Sequence, residues 1–235
     1  MPERRARIGV IGTGWWSTYT HIPGLLENPR AELVALCDTD PAALQRAQAA
    51  FPGLGTFSDV DGLLRDAELD GVVVAVPHVA HRDVAAACLN AGVHVLLEKP
   101  MTLVAEDAIA LIELADAREL ELIIGYPWHF TPTAIRGREL IASGELGAVQ
   151  HVVCLFSSMV IEFYRGNDEA YRDVFDWKVT GPGGVYADRA RSGGGQGHLQ
   201  VTHSSGLMFF MTGLRAQRVS ALMSDFDLPV DLVDA

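Results

Sequence analysis

The sequence predicts an α/β protein, with an N-terminal parallel sheet followed by a smaller α/β unit whose sheet is open and mainly antiparallel. Three observations carry that expectation. Short β-rich runs alternate with helical stretches through residues 7–126, the pattern of parallel strands joined by crossover helices. A glycine turn, Gly12-Thr13-Gly14, follows the first run, Ile8-Gly9-Val10-Ile11. Asp38 closes the second run, Leu33-Val34-Ala35-Leu36-Cys37, twenty-four residues after Gly14.

Taken in order, strands are expected at 7–12, 32–37, 72–75, 93–97 and 121–125, with helices starting near Trp15, Pro41, Asp59, Ala80 and Thr102. Asp40-Pro41 reads as an N-cap followed by proline at the first helical position. The run Val72-Val73-Val74-Ala75-Val76 lacks alternation, as suits a strand covered on both faces. Gly92 fits a helix C-terminus just before the strand at Val93.

Strand, glycine turn, helix, strand and terminal acid together make a Rossmann-type dinucleotide-binding unit. The first glycine permits the tight turn, and the second lets backbone approach a pyrophosphate at the helix N-terminus. Gly12, Thr13, Gly14, Trp15 and Trp16 are therefore expected beside the cofactor. Asp38 is expected to accept hydrogen bonds from the adenosine ribose hydroxyls. The third small position is Ser17, which puts one extra oxygen at a crowded helix–strand crossing. A 2′-phosphate would face the Asp38 carboxylate with no Arg or Lys among Thr39, Asp40 and Pro41, so NAD is expected in preference to NADP.

Charge and composition exclude other classes. The chain has 235 residues, is 49% hydrophobic and 20% charged, and carries a formal charge of −12, an ordinary globular composition. That charge argues against nucleic acid or an anionic membrane as partner. No apolar run approaches the ~20 residues of a membrane span. The start runs straight into the first strand, so no cleaved signal peptide is expected. Cys37, Cys88 and Cys154 are odd in number and widely spaced. They read as buried thiols of a cytoplasmic protein.

The division expected is 1–125 for the dinucleotide-binding domain and 126–235 for a domain serving substrate binding and oligomerisation. A helix is predicted over 132–143, a strand over 149–157, an apolar helix over 199–211 and a strand over 218–223. Seven glycines lie between Gly181 and Gly197, interleaved with Tyr186, Asp188, Arg189 and Arg191. That segment reads as a cover for substrate rather than a linker. With so few strands the second sheet would have open edges. Further chain or another subunit is expected to complete it, and a homo-oligomer is expected through that sheet.

The ordered set of motifs resembles the glucose–fructose oxidoreductase / inositol dehydrogenase family, Gfo/Idh/MocA. It comprises Val10-Ile11-Gly12-Thr13-Gly14, Asp38, Pro77 with His81, His94-Val95-Leu96-Leu97-Glu98-Lys99-Pro100, Gly125-Tyr126, Ser143-Gly144-Glu145-Leu146-Gly147, and Gly193-Gly194-Gly195 leading to His203. Family members are usually longer, which implies that a C-terminal portion is lacking. The resemblance implies a Rossmann domain plus an α/β domain, and a catalytic role for Lys99. It also implies a histidine at His203 that transfers protons or holds substrate. Many members carry an aspartate four residues before that histidine, where this chain has Leu199. Many also have arginine where His129 stands. At His81 the implied role is to support the fold near the cofactor.

Residue chemistry agrees in outline. Lys99 lies just past a strand's C-terminal end, where burial and a cationic nicotinamide would lower its pKa for general-base work. Glu98 would orient it or contact the nicotinamide ribose. Pro77, His78 and Trp128 complete the expected cofactor contacts. On a regular helix Gln196, Gln200 and His203 share one polar stripe. With Lys99, His129 and Tyr186 they form the expected substrate set. No metal site is expected: His198 and His203 are five apart, about 140° around a helix, and no His-x-x-x-His or Cys-x-x-Cys occurs. The predicted activity is NAD-dependent hydride transfer at a sugar, cyclitol or polyol hydroxyl. An NAD-using glycosidase and a non-catalytic dinucleotide sensor or scaffold stand as alternatives.

Overall fold

A computed structural model describes residues 4–167, 169–230 and 232–234. The first half is one six-stranded parallel sheet: β1 (Ala6–Ile11), β2 (Ala31–Cys37), β3 (Gly55–Phe57), β4 (Gly71–Val74), β5 (His94–Leu97) and β6 (Leu122–Ile124). The strand order is β3-β2-β1-β4-β5-β6. The chain therefore reverses direction across the sheet between β1 and β4, and ligands bind such sheets outside the strand ends at that reversal.

Helices α1 (Ile22–Glu27), α2 (Pro41–Ala50), α3 (Val60–Asp66), α4 (His81–Asn90) and α5 (Ala105–Arg118) connect the strands. The Asp40 side chain accepts from Ala42 N at 2.9 Å, and Asp59 accepts from Gly62 N at 2.7 Å, each occupying an otherwise unpaired helix-start amide. The sheet is covered on both faces. Val72 and Val74 join Ile11, Leu97 and Leu111 in one core cluster, while Val73 joins Val10, Ile22 and Leu36 in the other. This explains the unbroken valine run.

The second half contains α6 (Pro132–Ala142), the short helices α7 (Ile161–Tyr164) and α8 (Arg189–Ser192), α9 (Thr202–Thr212), and an antiparallel pair β7 (Leu222–Ser224) and β8 (Leu232–Asp234). Phe163, Tyr164, Trp177, Leu199 and Leu228 form its buried cluster. Among the described residues β7–β8 is the whole antiparallel sheet, so the larger sheet expected there is not seen. Residues 149–157 are not a strand. A strand needs a hydrogen-bonded neighbour, and this run has none among the described residues, leaving Val153 69% and Leu155 90% exposed. The strand expected at 218–223 is displaced to 222–224. Of the strand-like run 230–235, Asp231 and Ala235 lie outside the described residues. Cys37 and Cys88 are buried as expected, but Cys154 is exposed.

Candidate active site

The glycine turn is built for close approach. Gly12 has φ +91°, and a Cβ there would sit 2.4 Å from the Ala75 carbonyl oxygen beyond β4. Only glycine meets both conditions. At Gly14 the reverse holds: an added Cβ would meet nothing within 4 Å. The chain itself leaves that space open beside the helix start, which fits the pyrophosphate of a dinucleotide.

Asp38 braces the turn. Its Oδ2 accepts from Thr13 N at 2.7 Å and from Thr13 Oγ1 at 2.9 Å, and its Oδ1 accepts from Asp40 N at 2.9 Å. The carboxylate is thus fixed at the end of β2, partly open to solvent. Ser17 resolves its extra oxygen locally: the hydroxyl donates to the Gly12 carbonyl at 2.6 Å. The helix begins with a π turn, Ser17–His21, an irregularity often found at functional sites.

Glu98, past the end of β5, is the hub of the site. Its Oε1 accepts from Trp16 Nε1 at 2.9 Å and pairs with His21 Nε2 at 2.8 Å, while Oε2 accepts from Lys99 N at 3.0 Å. Burial alone would raise the carboxyl pKa, but the His21 hydrogen bond and charge, with Lys99, hold it below the ordinary 4.5. Gly125 makes room, since a Cβ there would approach Glu98 Oε1 to 2.9 Å. From the sequence His21, before Pro23, reads as a structural residue. It lies 77 positions from Glu98, and no local signal links them.

The Lys99–Pro100 peptide bond is cis. Lys99 Nζ donates to the main-chain carbonyl of Leu199 at 2.9 Å. Burial lowers the amine's pKa, against the opposing pull of Glu98. Leu199 lies in a second π turn, Gly197–Val201. Its side chain is fully buried in the cluster of Phe163, Tyr164 and Trp177. Where the resemblance leads one to expect an acid, this chain presents a backbone carbonyl.

His203 follows on α9. Its ring lies 5.1 Å from that of Trp128 and 6.0 Å from that of Tyr126. Burial first, then the Lys99 charge, lowers its pKa to about 4, so it is neutral near pH 7. Between Gln196 and His203 the helix runs through the π turn Gly197–Val201, which departs from the regular helix on which the stripe is drawn. Gln196 Oε1 accepts from Tyr164 Oη at 3.3 Å.

Other expected residues make the following contacts around the site. Tyr186 packs on Trp15 and Phe163 at ring distances of 6.4 and 5.8 Å, and burial pushes its phenol up to about 12. It anchors the glycine-rich segment to the aromatic side chains that follow the phosphate turn. His129 stacks on Phe210 at 4.6 Å and Tyr126 at 5.1 Å. His78, beyond Pro77, donates Nδ1–H to the Ser192 carbonyl at 2.7 Å, pinning the same segment to the Rossmann sheet. His81 bridges the carbonyls of Pro100 and Val76 at 2.7 and 3.0 Å. A cleft of about 540 Å³ is lined by Pro100, next in the chain to Lys99, and by Arg189, Gly197, His198, Thr202 and Met223.

The profile described as an oxidoreductase family with an NAD-binding Rossmann fold, GFO_IDH_MocA, matches residues 6–126. The chain belongs to the Gfo/Idh/MocA family. Among its relatives is the 1-carboxy-3-chloro-3,4-dihydroxycyclohexa-1,5-diene dehydrogenase of Comamonas testosteroni, 36% identical over 62% of this chain and 36% of that protein. GenD2 from gentamicin A biosynthesis, solved in complex with NAD, superposes with a TM-score of 0.76 at 25% identity, covering 100% of this chain and 61% of GenD2. The WlbA dehydrogenase of Bordetella pertussis, solved with NADH and UDP-GlcNAcA, gives a TM-score of 0.74 at 26% identity, covering 98% of this chain and 65% of WlbA. The chain spans between 36% and 55% of the length of curated relatives such as the Comamonas dehydrogenase. Among the described residues no helix is long and apolar enough to cross a membrane.

Proposed function

We propose that the protein is an NAD-dependent oxidoreductase transferring hydride between the nicotinamide and a hydroxyl-bearing carbon of a sugar, cyclitol or related polyol. The observation that carries this reading is the buried Lys99 amine, held by the Leu199 carbonyl at 2.9 Å beside a neutral His203. Gly12, Thr13, Gly14, Trp15 and Trp16 would line the pyrophosphate, Asp38 would hold the adenosine ribose, and Glu98 the nicotinamide side. A relative named as the dehydrogenase of a cyclic diol, and a dehydrogenase solved in complex with UDP-GlcNAcA, support the substrate class.

When bound, the nicotinamide supplies the hydride acceptor. Lys99, in its neutral amine form, takes the hydroxyl proton on Nζ. Burial lowers the amine's pKa below its ordinary 10.5, the direction that favours the form a general base uses. The Leu199 carbonyl fixes the direction of Nζ, and Glu98 fixes the backbone from which the lysine extends. A ring N–H of neutral His203 donates to the oxygen of that hydroxyl and positions it. Residues 1–125 would serve the cofactor and 126–235 the substrate. Two buried unpaired thiols support a cytoplasmic location, and the exposed apolar run at 149–157 supports assembly into an oligomer.

The test is a panel of polyols, cyclitols and sugars with NAD, read by NADH absorbance, on the wild type and on Lys99→Met. The reading predicts turnover of at least one member, lost in the variant. Turnover unaffected by Lys99→Met contradicts it.

A further inference from the structure

We propose that the cleft beside Lys99 takes a substrate bearing an anionic group, a carboxylate or a phosphate ester, and that Arg189 and His198 hold that group. The inference rests on the oxidoreductase reading and narrows its substrate class. Two links tie the cleft to Lys99. Pro100, next to Lys99 in the chain, lines it. Gly197 and His198 also line it, in the same π turn whose Leu199 carbonyl binds Lys99 Nζ.

The charge of this wall is opposite to that of the chain. The protein has 30 acidic residues against 18 Lys and Arg, yet none of the six cleft residues is acidic. Arg189 is exposed and forms no ion pair among the described residues. The neighbouring carboxylate, Asp188, is turned to cap the amide of Ala190 at 3.0 Å. Lys99 itself engages a neutral carbonyl through Nζ. A cationic wall in an acidic protein concentrates anions locally. A guanidinium beside an imidazole offers a planar pair of donors plus a third N–H, which matches a carboxylate or phosphate. The small volume, about 540 Å³, suits a single sugar-sized ligand.

The experiment is calorimetric titration of the intact chain, with and without NADH, using D-glucuronate, D-glucose 6-phosphate, D-glucose and myo-inositol. The proposal predicts that at least one anion binds about tenfold or more tightly than both neutral compounds. Which anion wins separates a carboxylate from a phosphate site. Arg189→Gln should remove that preference, and Arg189→Lys should restore part of it. A thermal melt checks that each variant folds. Equal binding of neutral and anionic compounds overturns the proposal, as does an anion preference that survives Arg189→Gln. Failure of NADH to bind strikes the oxidoreductase reading instead, and the cofactor-free titrations still read the cleft.

Discussion

The Lys99 amine is bound by the main-chain carbonyl of Leu199, while the leucine side chain is fully buried on the other side of the turn. Position 199 therefore contributes through its backbone. Leu199→Asp does not restore a family-like acid in this geometry. It places a carboxylate among Phe163, Tyr164 and Trp177. The expected result is a loss of roughly 2–5 kcal/mol in unfolding free energy, with no gain in turnover. Chemical denaturation and a rate assay of the same variant check both halves.

Burial lowers the Lys99 pKa from 10.5. The rising limb of a rate-against-pH profile should accordingly lie below the ordinary lysine range, because the reacting form is the neutral amine. Lys99→Met keeps the aliphatic stem and removes the base. We expect a rate loss of about 100-fold or more, with NADH affinity within a few-fold of wild type. A rising limb at the ordinary lysine value would show that the amine is not desolvated in the working enzyme.

Gly12 and Gly14 separate folding from binding. At Gly12 an alanine combines φ +91° with a Cβ 2.4 Å from Ala75 O, so Gly12→Ala should cost several kcal/mol of stability. At Gly14 the Cβ finds open space. Gly14→Ala should leave stability within about 0.5 kcal/mol while weakening NADH binding by about tenfold or more. Paired thermal melts and cofactor titrations give the answer, and equal behaviour of the two variants would contradict the cradle.

Acid should loosen the contact between the sheet and the glycine-rich segment. Burial brings His78 from 6.5 to about 4, so the native state keeps it neutral where the unfolded chain protonates it. The unfolded state then binds more protons between those values. Stability is fully present above 6.5 and falls as pH drops from 6.5 towards 4. His78→Asn keeps a donor for the Ser192 carbonyl but cannot titrate. Its unfolding free energy should fall less steeply across this window, by an amount on the order of 2–3 kcal/mol. Urea unfolding above and below the window measures the slope.

The sequence made some parts of this molecule legible and hid others, for physical reasons. The turn from Gly12 to Gly14, the acid at Asp38 and the Asp40-Pro41 cap are local, and short-range sterics and hydrogen bonds fix them. The doubly covered strand at 71–74 shows in its unbroken valines. By contrast β3 has three residues, too few to carry a periodicity. The pairing of His21 with Glu98 spans 77 positions. The π turn at Gly197–Val201 departs from the 3.6 residues per turn on which the stripe is drawn, and the bond between Gln196 and Tyr164 has no local signal. The run at 149–157 has strand composition, but composition does not supply the neighbouring strand it needs.

The central claim is that the cradle between Gly12 and Asp38 holds NAD in reach of Lys99. A tryptophan-fluorescence titration with NADH and NADPH tests it most directly, with Trp15 and Trp16 beside the turn as reporters. The account predicts saturable quenching by NADH, about tenfold or more weaker binding of NADPH, and loss of that discrimination in Asp38→Ser. Failure of NADH to bind, or NADPH binding as tight as NADH, would contradict it.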